Sequence, residues 1–321
     1  MATRFKWLDT LKTMAIFLII AGHCDVPGAK YIYVFSVPCF FIISGFLSKK
    51  ESSSSVFWTK MWWNLILPMF LFVLITLFLH SMFQFALGQF QWSFVWHSII
   101  RAIAGFISVG LWRMWFVYTL ILCKILYQYI PERKIYLFLL NVLFLLVTWW
   151  LNTSLKSQIF ENANLNVLLA MPFFSIGVLF HPFKSLANNL SIKTILLVFV
   201  VDVLFVYISG VYNDQVMLYR CSYGSNLFLC IIGGVAGTLV LYSISLLTQD
   251  LFDKLSGIVG GGTLIILALH FEIITLIQRI LSISGLLLYV ESLIVLLVCI
   301  PIILFTKKYT PVLYGKYRVQ K

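Results

Sequence analysis

Apolar stretches long enough to cross a bilayer recur from one end of this chain to the other. The hydrocarbon layer of a membrane is about 30 Å thick and takes roughly 20 residues of helix to span. No water inside it can satisfy exposed backbone N–H and C=O groups, so such a chain must complete its own hydrogen bonds within each segment. The composition agrees: 61% of residues are apolar and 11% charged, where a soluble domain carries about 25% charged residues. The expected class is all-α and polytopic, a single transmembrane domain over residues 1–321.

We read about ten spans, at residues 7–24, 31–48, 60–80, 111–130, 134–151, 166–181, 193–210, 226–248, 259–280 and 284–306. Segment 91–109 holds His97 and Arg101 among Trp and Phe and reads as an amphipathic helix lying in the interface. An even number of spans leaves both termini on one side. Placing them in the cytoplasm sends Arg4, Lys6, Lys49, Lys50, Lys60, Arg133, Lys134, Lys184, Lys193, Lys254, Lys307, Lys308, Lys316, Arg318 and Lys321 inward. It leaves only Lys30, Arg101, Arg113, Lys156, Arg220 and Arg279 outside, as the positive-inside rule requires. The same bias accounts for the net charge of +12. These cations are spread over the inward segments and not gathered on one face, which excludes nucleic acid as the partner and points to anionic lipid. Arg4 and Lys6 resemble the start of a signal peptide, but the run that follows holds Lys12 and ends in Gly22-His23-Cys24-Asp25. The first span is expected to stay.

Cys39, Cys123, Cys230 and Cys299 fall within spans as small apolar residues. Cys24 and Cys221 both fall near the outer surface, where a disulfide is allowed. No metal-binding spacing occurs, and no metal is expected.

Ionisable groups inside a span are functional candidates by default. Lys12 and His23 share the first span, and the helix between them climbs about 16 Å and makes about three turns, so both side chains lie on one strip. Lys12 taken alone would also fit a side chain snorkelling to the headgroups, as Lys124 does. His80, His97 and His181 read as interfacial polar residues. His270 and Glu272 fall deep in the ninth span and point away from each other. Asp202 in the seventh span needs a partner or a cavity. Gly257, Gly260, Gly261, Gly262 and Thr263 mark the cytoplasmic start of the ninth span. A helix start of this kind attracts phosphate, but no GxxxxGK is present and tight packing is the expected role. Trp92, Trp96, Trp112 and Trp115 fall on the outer side, as an interfacial belt or as stacking surfaces for sugars.

The first two spans resemble the membrane-bound acyltransferase-3 family. Its members often open with Arg-x-x-x-Leu-Asp-x-Leu-Arg/Lys and carry an Arg/Lys-x10-His motif, which here read Arg4, Leu8, Asp9, Leu11, Lys12 and His23. A second family element, Phe-Phe-x-x-Ser-Gly-Phe-Leu, stands intact from Phe40 to Leu47. Weaker echoes follow at Leu111–Phe116, which includes Arg113, and at Thr263–His270.

The resemblance implies transfer of an acyl group, acetyl as the expected one, from cytoplasmic acetyl-CoA to a hydroxyl of a surface glycan or lipid-linked sugar, in a bacterial cell membrane. It implies His23 as the catalytic residue, either as general base or as acyl carrier, assisted by His270 and Arg113. Lys12 would hold a donor phosphate, with Asp9 orienting it or shaping the cytoplasmic mouth. Arg4 and Ser44 complete the donor side, Ser44 as a lining residue in a span interrupted at Pro38. Read without the family, Ser44-Gly45 lets two helices approach closely. The rival class is a transporter or flippase for a polysaccharide precursor, with helices broken near Pro38 and Pro172.

Overall fold

The computed structural model describes residues 4–107, 111–154, 161–181, 190–280 and 284–315. Among the cations that orient the chain, Lys156, Lys184, Lys316, Arg318 and Lys321 lie outside the described residues. The described residues are helical, with no strand among them. In chain order the helices are α1 (Lys6–His23), α2 (Ala29–Tyr33), α3 (Ser36–Leu47), α4 (Ser54–Met61), α5 (Leu67–Ala86), α6 (Trp92–Ile103), α7 (Trp115–Tyr129), α8 (Lys134–Ser154), α9 (Ala163–Phe180), α10 (Ile192–Tyr212), α11 (Leu227–Thr248), α12 (Asp253–Val259), α13 (Thr263–Ile280) and α14 (Leu287–Tyr309).

Among the described residues, eight helical stretches are long and apolar enough to cross a membrane: α2 with α3, α4 through α5, and α8, α9, α10, α11, α13 and α14. The protein is a multi-pass membrane protein. Two further expected spans coincide with α1, whose first turns carry Lys6, Asp9 and Lys12, and with α7, which has 15 residues. On α8 and α10 apolar side chains such as Phe138, Leu146, Leu197 and Leu204 are exposed, as helices bathed in lipid require.

Local chemistry explains the departures from the sequence reading. The second span breaks at Val34–Phe35, not at Pro38. Pro38 instead sits in the first turn of α3, where its missing N–H has no intrahelical partner to lose. The third span is longer than expected, because Trp62–Ile66 forms a π-helical turn that joins α4 to α5. The wider turn precedes Pro68 and relieves the clash its ring would make with the backbone of the preceding turn.

Residue contacts gather into two compact units. The first comprises residues 1–48, 171–218 and 222–305. There α1 is central and touches α3, α11, α12 and α13, while α10 packs along α11. Lipid leaves no hydrophobic gain for helix association, so close backbone approach must hold such a bundle. A Cβ on Gly45 of α3 would collide with the Phe174 carbonyl, and one on Gly177 of α9 with the Ile42 carbonyl. Gly233 of α11 is likewise filled by Val34 and Ser209, and the Ser209 hydroxyl donates to the Leu229 carbonyl at 3.0 Å.

The second unit comprises residues 49–170, 219–221 and 306–321. The segment after α3 is clamped to the end of α7: the Glu51 backbone N–H donates to Gln128 at 3.0 Å, Gln128 returns a bond to the Glu51 carbonyl at 3.1 Å, and Lys50 donates to the Ile130 carbonyl. α6 is amphipathic, with Ser98 and Ala102 buried and Trp92, Trp96, Ile100 and Ile103 exposed.

Candidate functional site

α1 carries a charged cluster at its start and an imidazole at its end. At the start, Arg4 Nε donates to Asp9 Oδ2 at 2.7 Å, and Arg4 Nη2 lies 2.9 Å from both the carboxylate and the backbone carbonyl of Asp253. Lys6 Nζ donates to Asp250 at 2.8 Å. The Asp9 hydrogen bond, followed by the charges of Asp9 and Asp253, holds the Arg4 guanidinium more firmly protonated than usual. Arg4 and Asp9 are thus tied into one network with the loop before α12. Thr13 donates to the Asp9 carbonyl at 2.9 Å and lies 3.4 Å from that of Ser256. The glycines before α13 serve this packing: Gly257 leaves room for the Arg4 guanidinium, Gly260 for the Asp9 backbone and Gly262 for Ile303. Lys12 sits a turn deeper and is half-buried. On another flank, α1 borders an apolar cavity of about 470 Å³ lined by Trp7, Leu11, Ile42, Phe46 and Tyr242 among others. Such walls suit hydrocarbon and give a diphosphate nothing to bond.

At the far end the helix ends at His23, with Cys24 as its C-cap. The Asp25 N–H bonds to the Gly22 carbonyl at 3.1 Å, and the Val26 N–H reaches back to that of Ala21 at 3.4 Å. This is a Schellman closure with Asp25 in the left-handed position, at φ 57°; Asp tolerates that conformation better than most residues. Asp25 is exposed beyond the helix end. Two tyrosines fix the backbone on either side of His23. Tyr33 donates to the Gly22 carbonyl at 2.5 Å and Tyr289 to the Pro27 carbonyl at 2.9 Å.

His23 meets the ninth expected span here. Its ring lies 5.1 Å from that of His270, tilted by 40°, and 5.9 Å from Phe271. His23 is exposed, whereas His270 is buried. His270 Nδ1 lies 2.7 Å from the Ile266 carbonyl. A carbonyl can only accept, so Nδ1 carries the proton and Nε2 of neutral His270 is left as an acceptor.

Sequence reading missed a third group. Glu291, early in α14, is fully enclosed and lies beside Gln278 of α13 and the Cys24 thiol next to His23. Its signal was present as a carboxylate inside an apolar run. All six cysteines are free, so the Cys24–Cys221 disulfide allowed by the sequence does not form; both side chains are buried.

The structure brings His23 and His270 together in the first unit, with Lys12 and Asp9 on the same helix as His23 and Arg4 just before its first turn. Ser44 is half-buried on α3, and its carbonyl accepts from Ser48 at 2.7 Å. Arg113 belongs to the second unit, in the turn that precedes α7, and is half-buried.

The family model described as an acyltransferase domain, acyltransferase-3, matches residues 5–306. The chain belongs to the acyltransferase-3 family. No curated protein and no solved structure matches it. As a member of that family with a bundle of membrane-crossing helices, the protein is a membrane acyltransferase. The match runs through both compact units, so the acyltransferase-3 region includes His23, His270, Arg113 and Glu291 alike.

Proposed function

We propose that this acyltransferase moves an acyl group, acetyl foremost, from cytoplasmic acyl-CoA to a hydroxyl of an extracytoplasmic glycan or lipid-linked sugar in a bacterial cell membrane. The observation that carries this reading is the His23–His270 ring pair at one end of α1, opposite the Arg4–Asp9–Asp253 network at the other. Both termini are cytoplasmic in this reading, which puts the charged end inside and the histidines toward the outer surface. Coenzyme A is long, with phosphates at one end and the thioester at the other. Lys12 would take a phosphate as a point charge, with Arg4 and Asp9 framing the entrance and Ser44 lining the passage. About 16 Å of helix then separates Lys12 from the imidazole.

At the histidine end the chemistry balances simply. The acceptor hydroxyl oxygen attacks the thioester carbonyl while its proton passes to an imidazole nitrogen of His23. The tetrahedral adduct collapses by breaking the C–S bond, and the imidazolium returns the proton to the departing sulfur. His270, with Nδ1–H held by Ile266, presents Nε2 as an acceptor that can orient or relay that proton. Arg113, which belongs to the second unit, is assigned an assisting role. A route through an acyl group carried on His23 uses the same residues.

The test is turnover of radiolabelled acetyl-CoA by purified protein in nanodiscs, wild type beside His23→Ala. Slow thioester cleavage that requires His23 is expected. A folded wild-type sample that neither binds nor cleaves acetyl-CoA overturns the reading and turns attention to glycan transport.

A further inference from the structure

The outer aromatic residues are not equivalent. Trp92 and Trp96 are 72% and 64% exposed and share a face of α6 with Ile100 and Ile103, the arrangement of an interfacial belt. Trp112 and Trp115 are placed differently. Their rings gather around Tyr219, at 5.9 Å and 6.3 Å between centroids. The Arg220 guanidinium covers the Tyr219 ring at 5.0 Å, and Arg220 Nη2 donates to Glu161 Oε1 at 2.9 Å.

The backbone beneath this cluster is pinned. Asn152 donates to the Cys221 carbonyl at 3.0 Å, the Ile107 N–H to the Glu161 carbonyl at 2.8 Å, and Asn164 to the Ala104 carbonyl at 2.8 Å. Gly105, at φ 81°, leaves room for Asn164 in a conformation that side chains rarely adopt. The polar pair is accessible, with Glu161 and Arg220 each 33% exposed, and Trp112 is the most open of the rings at 39%.

We propose that Trp112, Trp115 and Tyr219, rimmed by the Glu161–Arg220 pair, form the seat of the acceptor sugar. The proposal rests on the acyl-transfer reading above. A pyranose has a C–H face whose slightly positive hydrogens settle on the negative face of an aromatic ring. Its rim of hydroxyls needs donors and acceptors held in a plane, which a guanidinium and a carboxylate supply. Among the described residues no ion pair involves α6, whereas this cluster pairs its rings with Glu161–Arg220 on a fixed backbone. Tyr219 acts as the hub that sets the two indoles, and Trp112 offers the open face.

The experiment measures direct binding of defined sugars to the full chain in nanodiscs. The probes are methyl β-glucoside, methyl β-galactoside, methyl N-acetyl-β-glucosaminide, cellobiose and chitobiose, followed by tryptophan fluorescence and by saturation transfer to the sugar protons. At least one probe binds the wild type, and Trp112→Ala and Arg220→Gln each weaken it about tenfold. Trp92→Ala leaves it unchanged and controls for the membrane belt. Trp112→Phe, which keeps a ring, recovers most of the affinity, so loss through misfolding is distinguished. Failure of every probe to bind the wild type, equal binding by Trp112→Ala, or equal loss in Trp92→Ala overturns the proposal. Acetyl-CoA cleavage without acceptor is measured on the same wild-type sample. Its absence there would sink the acyl-transfer reading independently of what the sugars do.

Discussion

The rings of His23 and His270, contributed by helices near opposite ends of the chain, lie 5.1 Å apart between centroids. His23 closes α1, and His270 lies inside α13 with Nδ1 bonded to its own helix. The pairing therefore depends on how α1 and α13 pack and on where α1 stops, which the Schellman bonds of Asp25 and Val26 fix.

His23→Ala is expected to abolish acyl transfer in a protein that still inserts and folds. His270→Ala is expected to lower kcat by about 10²-fold or more, within the range of an acid–base contribution. His270→Gln keeps a carbonyl acceptor in place and should fall between His270→Ala and the wild type. Single-turnover cleavage of labelled acetyl-CoA checks all three. A His270→Ala enzyme with full kcat would remove this residue from the site.

Lys12 and the Arg4 network should separate in kinetics. Lys12→Ala is expected to raise the KM for acetyl-CoA more than it lowers kcat, because a phosphate contact is made equally in ground and transition states. Asp9→Asn disturbs a network whose Arg4 member is about half exposed, so it should cost no more than about 1 kcal/mol of stability. Thermal unfolding in nanodiscs and initial rates against acetyl-CoA measure both. A fall in kcat at constant KM would argue against donor binding by Lys12.

Much of this fold was legible in the sequence, for a physical reason. Lipid forces each crossing segment to be a continuous apolar helix, so the spans announce themselves along the chain. Helix arithmetic then put Lys12 and His23 on one strip before any partner was known. What stayed hidden was tertiary. Nothing local to Arg4 indicates that Asp253 will lie 2.9 Å away, and nothing local to His270 names His23 as its neighbour. Pro38 looked like the break in the second span, although its position in the first turn of α3 makes it harmless. Trp92, Trp96, Trp112 and Trp115 read alike in the sequence, and only the residues around each ring tell them apart.

Gly45 and Gly177 should tolerate no side chain. A Cβ at either would meet a backbone carbonyl of the facing helix, α9 for Gly45 and α3 for Gly177. Backbone cannot rotate aside as a side chain can, so Gly45→Leu is expected to cost about 3 kcal/mol or more. Loss of monodisperse protein after extraction, or a strongly lowered Tm, checks this; a Gly45→Leu protein as stable as the wild type would contradict the packing described.

Cys221 should be silent to thiol reagents. Burial pushes its thiol up to about 12, with a hydrogen bond involving Thr148 opposing that shift. At pH 7.5 the thiol is thus overwhelmingly protonated, and the nucleophilic thiolate gains population only as the pH approaches 12. Maleimide labelling of a variant that keeps only Cys221 should be negligible at pH 7.5 in nanodiscs and complete after denaturation. Rapid labelling of the folded protein would show this loop open to solvent.

The two tyrosine pins offer a separate handle on the position of His23. Tyr33 bonds to the Gly22 carbonyl immediately before it, and Tyr289 to the Pro27 carbonyl in the loop just after it. Each Phe variant removes one hydroxyl and no ring; because the Gly22 carbonyl keeps its bond from the Asp25 N–H, Tyr33→Phe should cost no more than about 1 kcal/mol of stability. Tyr33→Phe should act more strongly on kcat, because Gly22 is part of the helix that aims the imidazole, whereas Pro27 lies beyond the Schellman closure. Neither should change the KM for acetyl-CoA, since the donor phosphates bind at the other end of α1 in the proposed reading. Equal kcat in Tyr33→Phe and wild type would mean that the Schellman closure alone fixes His23, and a Tyr33→Phe effect confined to KM would place the donor nearer this end of the helix.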